Sequence, residues 1–488
     1  MKVTIPSLLG ALLLCVAGCA VGPNYHPPET RAAPRFAEGA PTNYAAAPVT
    51  LAWWREFNDS LLNQIIVQSL ASNQDLAIAT ARVREARALR SQAVADALPE
   101  PGAYAGYNKS LSSKDSIPFQ LTRQQRELQL FSVGFDATWE LDIFGHVRRS
   151  IQASTAELAA TIADREYVEV TLVGEVARNY FELRGEQYQL RVAQQNAQNQ
   201  RETLELTEAL FKAGRSTELD TSRALAQLKI TLAAVPPLEA AIKHSIHRLG
   251  VLTGQPPAAL EPELGQPQPL PSLPPLVNIG DPAALLRRRP DVRAAERSLA
   301  AATARIGVET SALFPRVVFN GNIGFSASHL ATLGASGNDT YSFGPQITWA
   351  ALDLGHVRAR IRAAHAQAEG QLANYEKTVL LALEETENAL VDFGREQARR
   401  DLLDQAAQAA TQAMTLARQR YDSGVADFLP VLDAERTQLD TQAQLAQSQT
   451  RTATSLVALY KALAGGWDTP AGFGVNTPQE PPSSPGGK

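Results

Sequence analysis

The sequence predicts a mainly α-helical tandem-repeat protomer that lends four β-strands, alongside long coiled-coil helices, to a membrane β-barrel shared with other copies. Three observations predict it: an internal duplication, a switch from period-2 to heptad patterning that recurs in the same order, and an N-terminus written for export. Residues 138–149 read TWELDIFGHVRR and residues 348–359 read TWAALDLGHVRA, an offset of 210. The same offset, without gaps, brings Gly214 to Gly424 and Leu219 to Leu429. Upstream, ARALRSQAVADALP (86–99) meets ATARIGVETSALFP (302–315) at offset 216, so six residues of slack fall between Pro99 and Thr138.

In chain order, Lys2 and the short apolar stretch Leu8 to Ala17 form a signal peptide over residues 1–18, too short to span a bilayer. Val16-Ala17-Gly18-Cys19 resembles the bacterial lipobox, which implies cleavage before Cys19 and a covalent lipid on it, N-acyl and S-diacylglycerol. Ala20, rather than Asp, resembles lipoproteins sorted to the outer membrane. Residues 19–58 carry six prolines up to Pro48 and read as a lipidated, extended linker. Repeat 1 runs over 59–254 and repeat 2 over 282–466. Between them, 255–281 is Pro-rich and should be irregular, and 467–488 reads as a disordered tail.

Each repeat opens with a helix and then offers a strand pair, about 103–142 and about 317–350. Phe131, Val133, Phe135, Ala137, Trp139 and Leu141 alternate with Ser132, Gly134, Asp136, Thr138 and Glu140, giving one apolar and one polar face. Tyr341, Phe343, Pro345, Ile347 and Trp349 repeat the pattern. Trp139 and Trp349 sit at the strand ends nearest the helices, where interfacial aromatics belong if the strands cross lipid. A proline-free run then extends from His146 to Lys212, about 100 Å of helix at 1.5 Å per residue. Ala156, Ala160, Ala163, Tyr167, Val170, Gly174, Ala177 and Phe181 mark a seam of close helix approach, as do Ala368, Leu372, Tyr375, Val379, Ala382, Thr386, Ala389 and Phe393. Gly214 and Gly424 end the runs as hairpin tips. Pro236-Pro237 should break the first return helix, whereas Pro430 falls early enough for a first turn.

An open sheet leaves backbone groups unsatisfied in lipid, and four strands cannot close, since barrels need at least ~8. Two copies would give a filled barrel; three give about twelve strands, which can leave a lumen. The near-balance of Lys+Arg 45 against Asp+Glu 50 excludes a surface built for nucleic acid. No phosphate loop, nucleophile elbow or HExxH occurs, so no catalytic residue is assigned and no enzyme activity is expected. His244 and His247 could share a face but lack further ligand spacing, so no metal or other cofactor is expected.

Cys19-Ala-Val-Gly-Pro-Asn-Tyr25, Trp53-Trp54-x2-Phe57-x-Asp59, the paired Gly-His-Val-Arg corners, the Tyr421-x2-Gly424 tip and Leu463-Ala-Gly-Gly-Trp467 together resemble the outer-membrane factor family. More narrowly they are similar to its OprM-like, NodT-type lipoprotein branch in multidrug efflux, with TolC more distant. The resemblance implies a homotrimer with a 12-stranded barrel in the outer membrane of a Gram-negative bacterium, continuous with a periplasmic α-helical barrel. It also implies a periplasmic adaptor (membrane fusion) protein and an inner-membrane transporter of the resistance-nodulation-division class as partners. The tips at Gly214 and Gly424 resemble adaptor-docking turns. Leu429 and Asp433 resemble the periplasmic gate, an apolar ring and a carboxylate ring. Leu219 and Arg223 occupy the matching positions of the first copy, which leaves an Arg223–Asp433 contact open. The expected function is a passive exit duct for drugs or other small molecules. The alternatives are a type I protein-secretion channel and a non-pore periplasmic coiled-coil lipoprotein.

Overall fold

The computed structural model describes residues 20–29, 33–38, 44–116 and 122–464; the signal peptide, Cys19 and the tail from 465 lie outside the described residues. In chain order the elements are β1 (Tyr44–Ala45), α1 (Ser60–Ser72), α2 (Gln74–Ala95), β2 (Glu100–Leu111), α3 (Arg123–Arg126), β3 (Glu127–Leu141) and α4 (His146–Lys212). They continue with α5 (Glu218–Ala233), α6 (Val235–Leu252), α7 (Glu261–Leu264), β4 (Val277–Asn278), α8 (Pro282–Arg288), α9 (Pro290–Ser311), β5 (Arg316–Ala327), β6 (Asp339–Thr348), α10 (Leu354–Asp422) and α11 (Phe428–Ala462). Among the described residues α4 and α10 are unbroken over 67 and 69 residues, as the absence of proline allows. The chain divides into two compact units, each drawing on both repeats.

The first unit comprises residues 1–31, 78–165 and 290–381. Its centre is an antiparallel four-stranded sheet in the order β2-β3-β5-β6. The strands start and stop within a few residues of the alternating runs. Trp349 falls just past β6, and β2 begins earlier than the alternation suggests, at Glu100-Pro101. Pro101 and Pro345 both lie in edge strands, which tolerate a missing N–H. Small residues let helices close up beside the sheet: Ala302 and Ile306 of α9 are buried with Ala364 and Ala368 of α10. Arg165 and Arg90 donate to the hydroxyls of Thr80 and Thr155, tying α2 and α4 together.

The second unit comprises 32–77, 166–289 and 382–488, and holds the main apolar core. Residues 44–58, expected to be extended linker, are part of that core. Tyr44, Val49, Trp53, Trp54 and Phe57 are buried. Trp53 stacks on Tyr460 at 4.9 Å, and Phe57 meets Phe181 edge-on at 4.7 Å. The rings are held by their polar ends: Tyr460 donates to Glu56 at 2.6 Å, and Tyr180 donates to Asp59 at 2.6 Å. Asp59 also caps α1, accepting the N–H groups of Leu61 and Leu62. The connector is not wholly irregular either: β4 pairs in parallel with β1, and α7 buries Leu264. Arg184, 1% exposed, fixes the connector by donating to the carbonyl of Gln266. Pro236 and Pro237 interrupt the return helix of repeat 1 and open α6, where a first turn needs no N–H from them. Pro430 stands in the first turn of α11.

Most seam positions are buried, from Ala160 and Ala163 through Phe181 and from Tyr375 through Phe393; Ala156 is half-buried, and Tyr167 and Leu372 are each 37% exposed. Helix approach is closest at Gly185, where an added Cβ would stand 2.1 Å from the Thr450 hydroxyl of α11.

Candidate functional site

Three features make up the candidate site. The first is the sheet. Register places Tyr107 beside Phe131, Phe135 beside Ile323, and Ile323 beside Tyr341, so one face is apolar across all four strands. Phe135, Ile323, Tyr341, Phe343 and Ile347 are 64–71% exposed, more apolar surface than water would tolerate. The other face is polar: Thr138 donates to Asn320, and Asn320 donates to Gln346, a ladder crossing three strands at 3.0–3.2 Å. Apolar-out and polar-in alternation is the pattern of a barrel strand in lipid. Among the described residues, strands β2 and β6 have one neighbour each, so both edges of the sheet are unpaired.

The second feature is the corner between β3 and α4. Asp142 accepts the backbone N–H groups of Val147 and Arg148 at 3.1 and 2.9 Å, satisfying the start of a long helix. Gly145, at φ +86°, presents bare backbone on which Ala20 sits; a Cβ there would lie 2.7 Å from it. Val21 donates its N–H to the carbonyl of Phe144. Arg149, 3% exposed, then donates to the carbonyls of Val21 and Gly22 and to the Asn24 side chain, all at 3.0 Å. Gly22 (φ +89°) passes so close to Gly307 that a Cβ would stand 2.4 Å from its Cα. The residues after Cys19 are therefore clamped at the strand-to-helix junction, although Cys19 itself lies outside the described residues. Among the described residues the second corner has no such arm: Gly355 lies within α10 with open space around it, and Leu352 is fully exposed.

The third feature is the pair of tips. Gly214 and Gly424 adopt φ +74° and +70°. In each tip the same two bonds close the helix: Gly214 to Phe211 and Arg215 to Leu210, then Gly424 to Tyr421 and Val425 to Arg420. That is a Schellman motif repeated at an offset of 210. Thr217 and Asp220 cap α5 reciprocally, while Asp427 precedes α11 without a side-chain cap. Leu429 (58% exposed) and Asp433 share the exposed face of α11, one turn apart. Phe428, Val431 and Leu432 fill the opposite face against Ala224. No ion pair joins Arg223 to Asp433 among the described residues. The carboxylate beside Arg223 is Asp220, which burial would raise but hydrogen bonds from Thr217 and Ser216 hold low.

Sequence reasoning singled out the tips and Leu429 and Asp433 but missed Arg149. Its signal was a mismatch between the copies, since Arg149 corresponds to Ala359 and Gly307 to Ser91. His244 and His247 are exposed on α6.

Against known proteins, the family model for outer membrane efflux proteins matches residues 65–255 and 282–465. Nodulation protein T of Rhizobium leguminosarum bv. trifolii is 34% identical over 466 residues, 95% of this chain and 97% of that protein. The toluene efflux pump outer membrane protein TtgI of Pseudomonas putida is 32% identical over 468 residues, covering 93% and 97%. Among solved structures, the outer-membrane channel OprN superposes with a TM-score of 0.88 at 43% identity, covering 92% of this chain and 100% of that one. The outer membrane protein VceC of Vibrio cholerae gives 0.79 at 27% identity, covering 86% and 100%.

Proposed function

The chain belongs to the outer membrane efflux protein family, and from that premise we propose that three copies close into the exit duct of a tripartite efflux pump. It is an outer-membrane channel for efflux, and the finer reading concerns how it is built and gated. One observation carries that reading: a sheet with an apolar face, a polar face and two unpaired edges. Strands alternate in direction from β2 to β6, so β6 of one copy meets β2 of the next antiparallel, and three copies complete a ring of about twelve strands. The apolar face turns to lipid and the Thr138–Asn320–Gln346 ladder to the lumen.

In this reading Cys19 carries the N-acyl and S-diacylglycerol lipid, and the Arg149 clamp holds it beside the inner rim of the barrel. The long helices of both repeats form the periplasmic barrel. Leu429 and Asp433 converge at its closed end, and the tips at Gly214 and Gly424 receive a periplasmic adaptor coupled to an inner-membrane transporter of the resistance-nodulation-division class. Flow is passive and the chain performs no catalytic step.

The test is the mass and conductance of the detergent-solubilised, lipidated protein. A particle of three chains that conducts in planar bilayers is expected. A stable, non-conducting monomer overturns the reading.

A further inference from the structure

The gate-bearing helix holds an ionisable group that the duct reading leaves unused. Glu435 follows Asp433 by two residues on α11 but lies on the opposite, packed face, 4% exposed. It lines a cleft of about 270 Å³ between three helices. From α4 the cleft receives Asn196, Asn199 and Thr203, none of which ionises. From α10 it receives Arg418 and Asp422, a cation and an anion. The neighbouring contact to α5 is a neutral amide, Gln227, which accepts from Arg436 of α11 at 2.9 Å. On the same stretch of α4, Gln200 is 2% exposed and neither of its amide atoms has a hydrogen-bond partner, a buried polar group whose pairing is incomplete.

We propose that Glu435 is a proton-operated latch: protonated, it seats α11 against α4 and α10 and keeps the constriction closed; ionised, it draws that stretch of helix toward water and loosens it. The latch rests on the gate assigned above to Leu429 and Asp433. A carboxylate in this cleft must give up water while Arg418, the cation that lines the cleft among the described residues, shares it with Asp422. Burial accordingly pushes the Glu435 carboxyl up to about 7, against the weaker pull of Arg418. Released to water, the group returns to the ordinary value of 4.5. The seated state thus binds the proton more tightly, so seating is favoured at low pH and loses its advantage as pH rises from 4.5 toward 7.

The experiment is open probability of the full-length lipidated protein in planar bilayers at about pH 5 and about pH 8, for wild type, Glu435→Gln and Glu435→Met. Each pKa unit bounds a tenfold change, so a rise of at least about fivefold is expected for wild type. Glu435→Gln should stay at the low level at both pH values. If that variant fails to assemble, the equally uncharged Glu435→Met must give the same flat profile. A wild type that conducts without a pH step overturns the latch alone, as does a step that survives undiminished in either neutral variant. A wild type that never conducts overturns the duct reading and the latch with it.

Discussion

Trp139 and Trp349 make the same hydrogen bond in the two halves of the protein. Each indole N–H donates at 3.0 Å to a backbone carbonyl, that of Ala97 and that of Leu313, two residues before a proline. The donors are 210 residues apart and the acceptors 216, so the six additional residues of the first half are absorbed between them. They fall past the end of β2, since β2 and β5 begin and end at offset 216. The bond staples the last strand of each pair to the turn that precedes its first strand.

Replacing either indole by Phe should therefore cost about 1 kcal/mol, the net worth of one hydrogen bond. Thermal unfolding of the single and double variants, followed by circular dichroism, should give equal and additive losses, because the bonds share no partner. A strongly unequal pair of losses would show that the halves are not equivalent here.

Arg149→Ala should free the N-terminal arm without preventing lipidation. Two carbonyls and an amide lose their donor, a cost of about 3 kcal/mol for the clamp. Limited proteolysis should cut the variant between Ala20 and Tyr25 while wild type resists, and palmitate labelling should be unchanged. Gly22→Ala should act alike, since φ +89° and the Gly307 backbone both exclude a side chain.

Gly185→Ala places a methyl carbon 2.1 Å from the Thr450 hydroxyl, which cannot relax without parting α4 and α11. A loss of about 1–3 kcal/mol is expected from overpacking, read as a lowered unfolding midpoint. Gly214 has no atom within 4 Å of an added Cβ, so Gly214→Ala should cost only the strain of its left-handed φ, about 1 kcal/mol.

Thr217→Ala should lower stability by about 1 kcal/mol through loss of a capping box, whereas Asp427→Ala, which removes no side-chain cap bond, should cost much less. Because hydrogen bonding holds Asp220 low, the cap's contribution is fully present above the ordinary aspartate value and is lost as pH falls from there through the lowered value of the folded state. Hydrogen exchange of the α5 amides against pH checks both.

If Leu429 and Asp433 form the proposed constriction, Leu429→Ala should raise single-channel conductance, and Asp433→Asn should reduce cation preference, seen as a reversal potential closer to zero across a salt gradient. If neither changes, the exposed face of α11 is not the narrow point.

The strands, long helices and tips were legible because each follows a period or a repeated glycine, and duplication doubled every signal. The fold of residues 44–58 was not. Tyr44, Val49, Trp53 and Phe57, spaced five, four and four apart, make too short a run to stand out in a proline-bearing stretch, and the partners Tyr460 and Phe181 lie far along the chain. Pairing of β1 with β4 involves two residues from each of two proline-rich segments, too short for any pattern. Arg149 is one arginine beside another, and only the structure shows that Arg148 bonds Asp142 while Arg149 turns inward. Glu435 continues the i, i+3, i+4, i+7 spacing of Phe428, Val431 and Leu432, but an acidic residue at that place reads as part of the wet face until its burial is seen.

The clamp around Gly22 has a consequence for the history of the gene. Two halves that began alike are no longer interchangeable: one has taken up the free end of the chain, and the other, with Ala359 and Ser91 where the clasp would need Arg149 and Gly307, cannot. A permuted protein that starts at the second half should therefore leave its first residues unfastened.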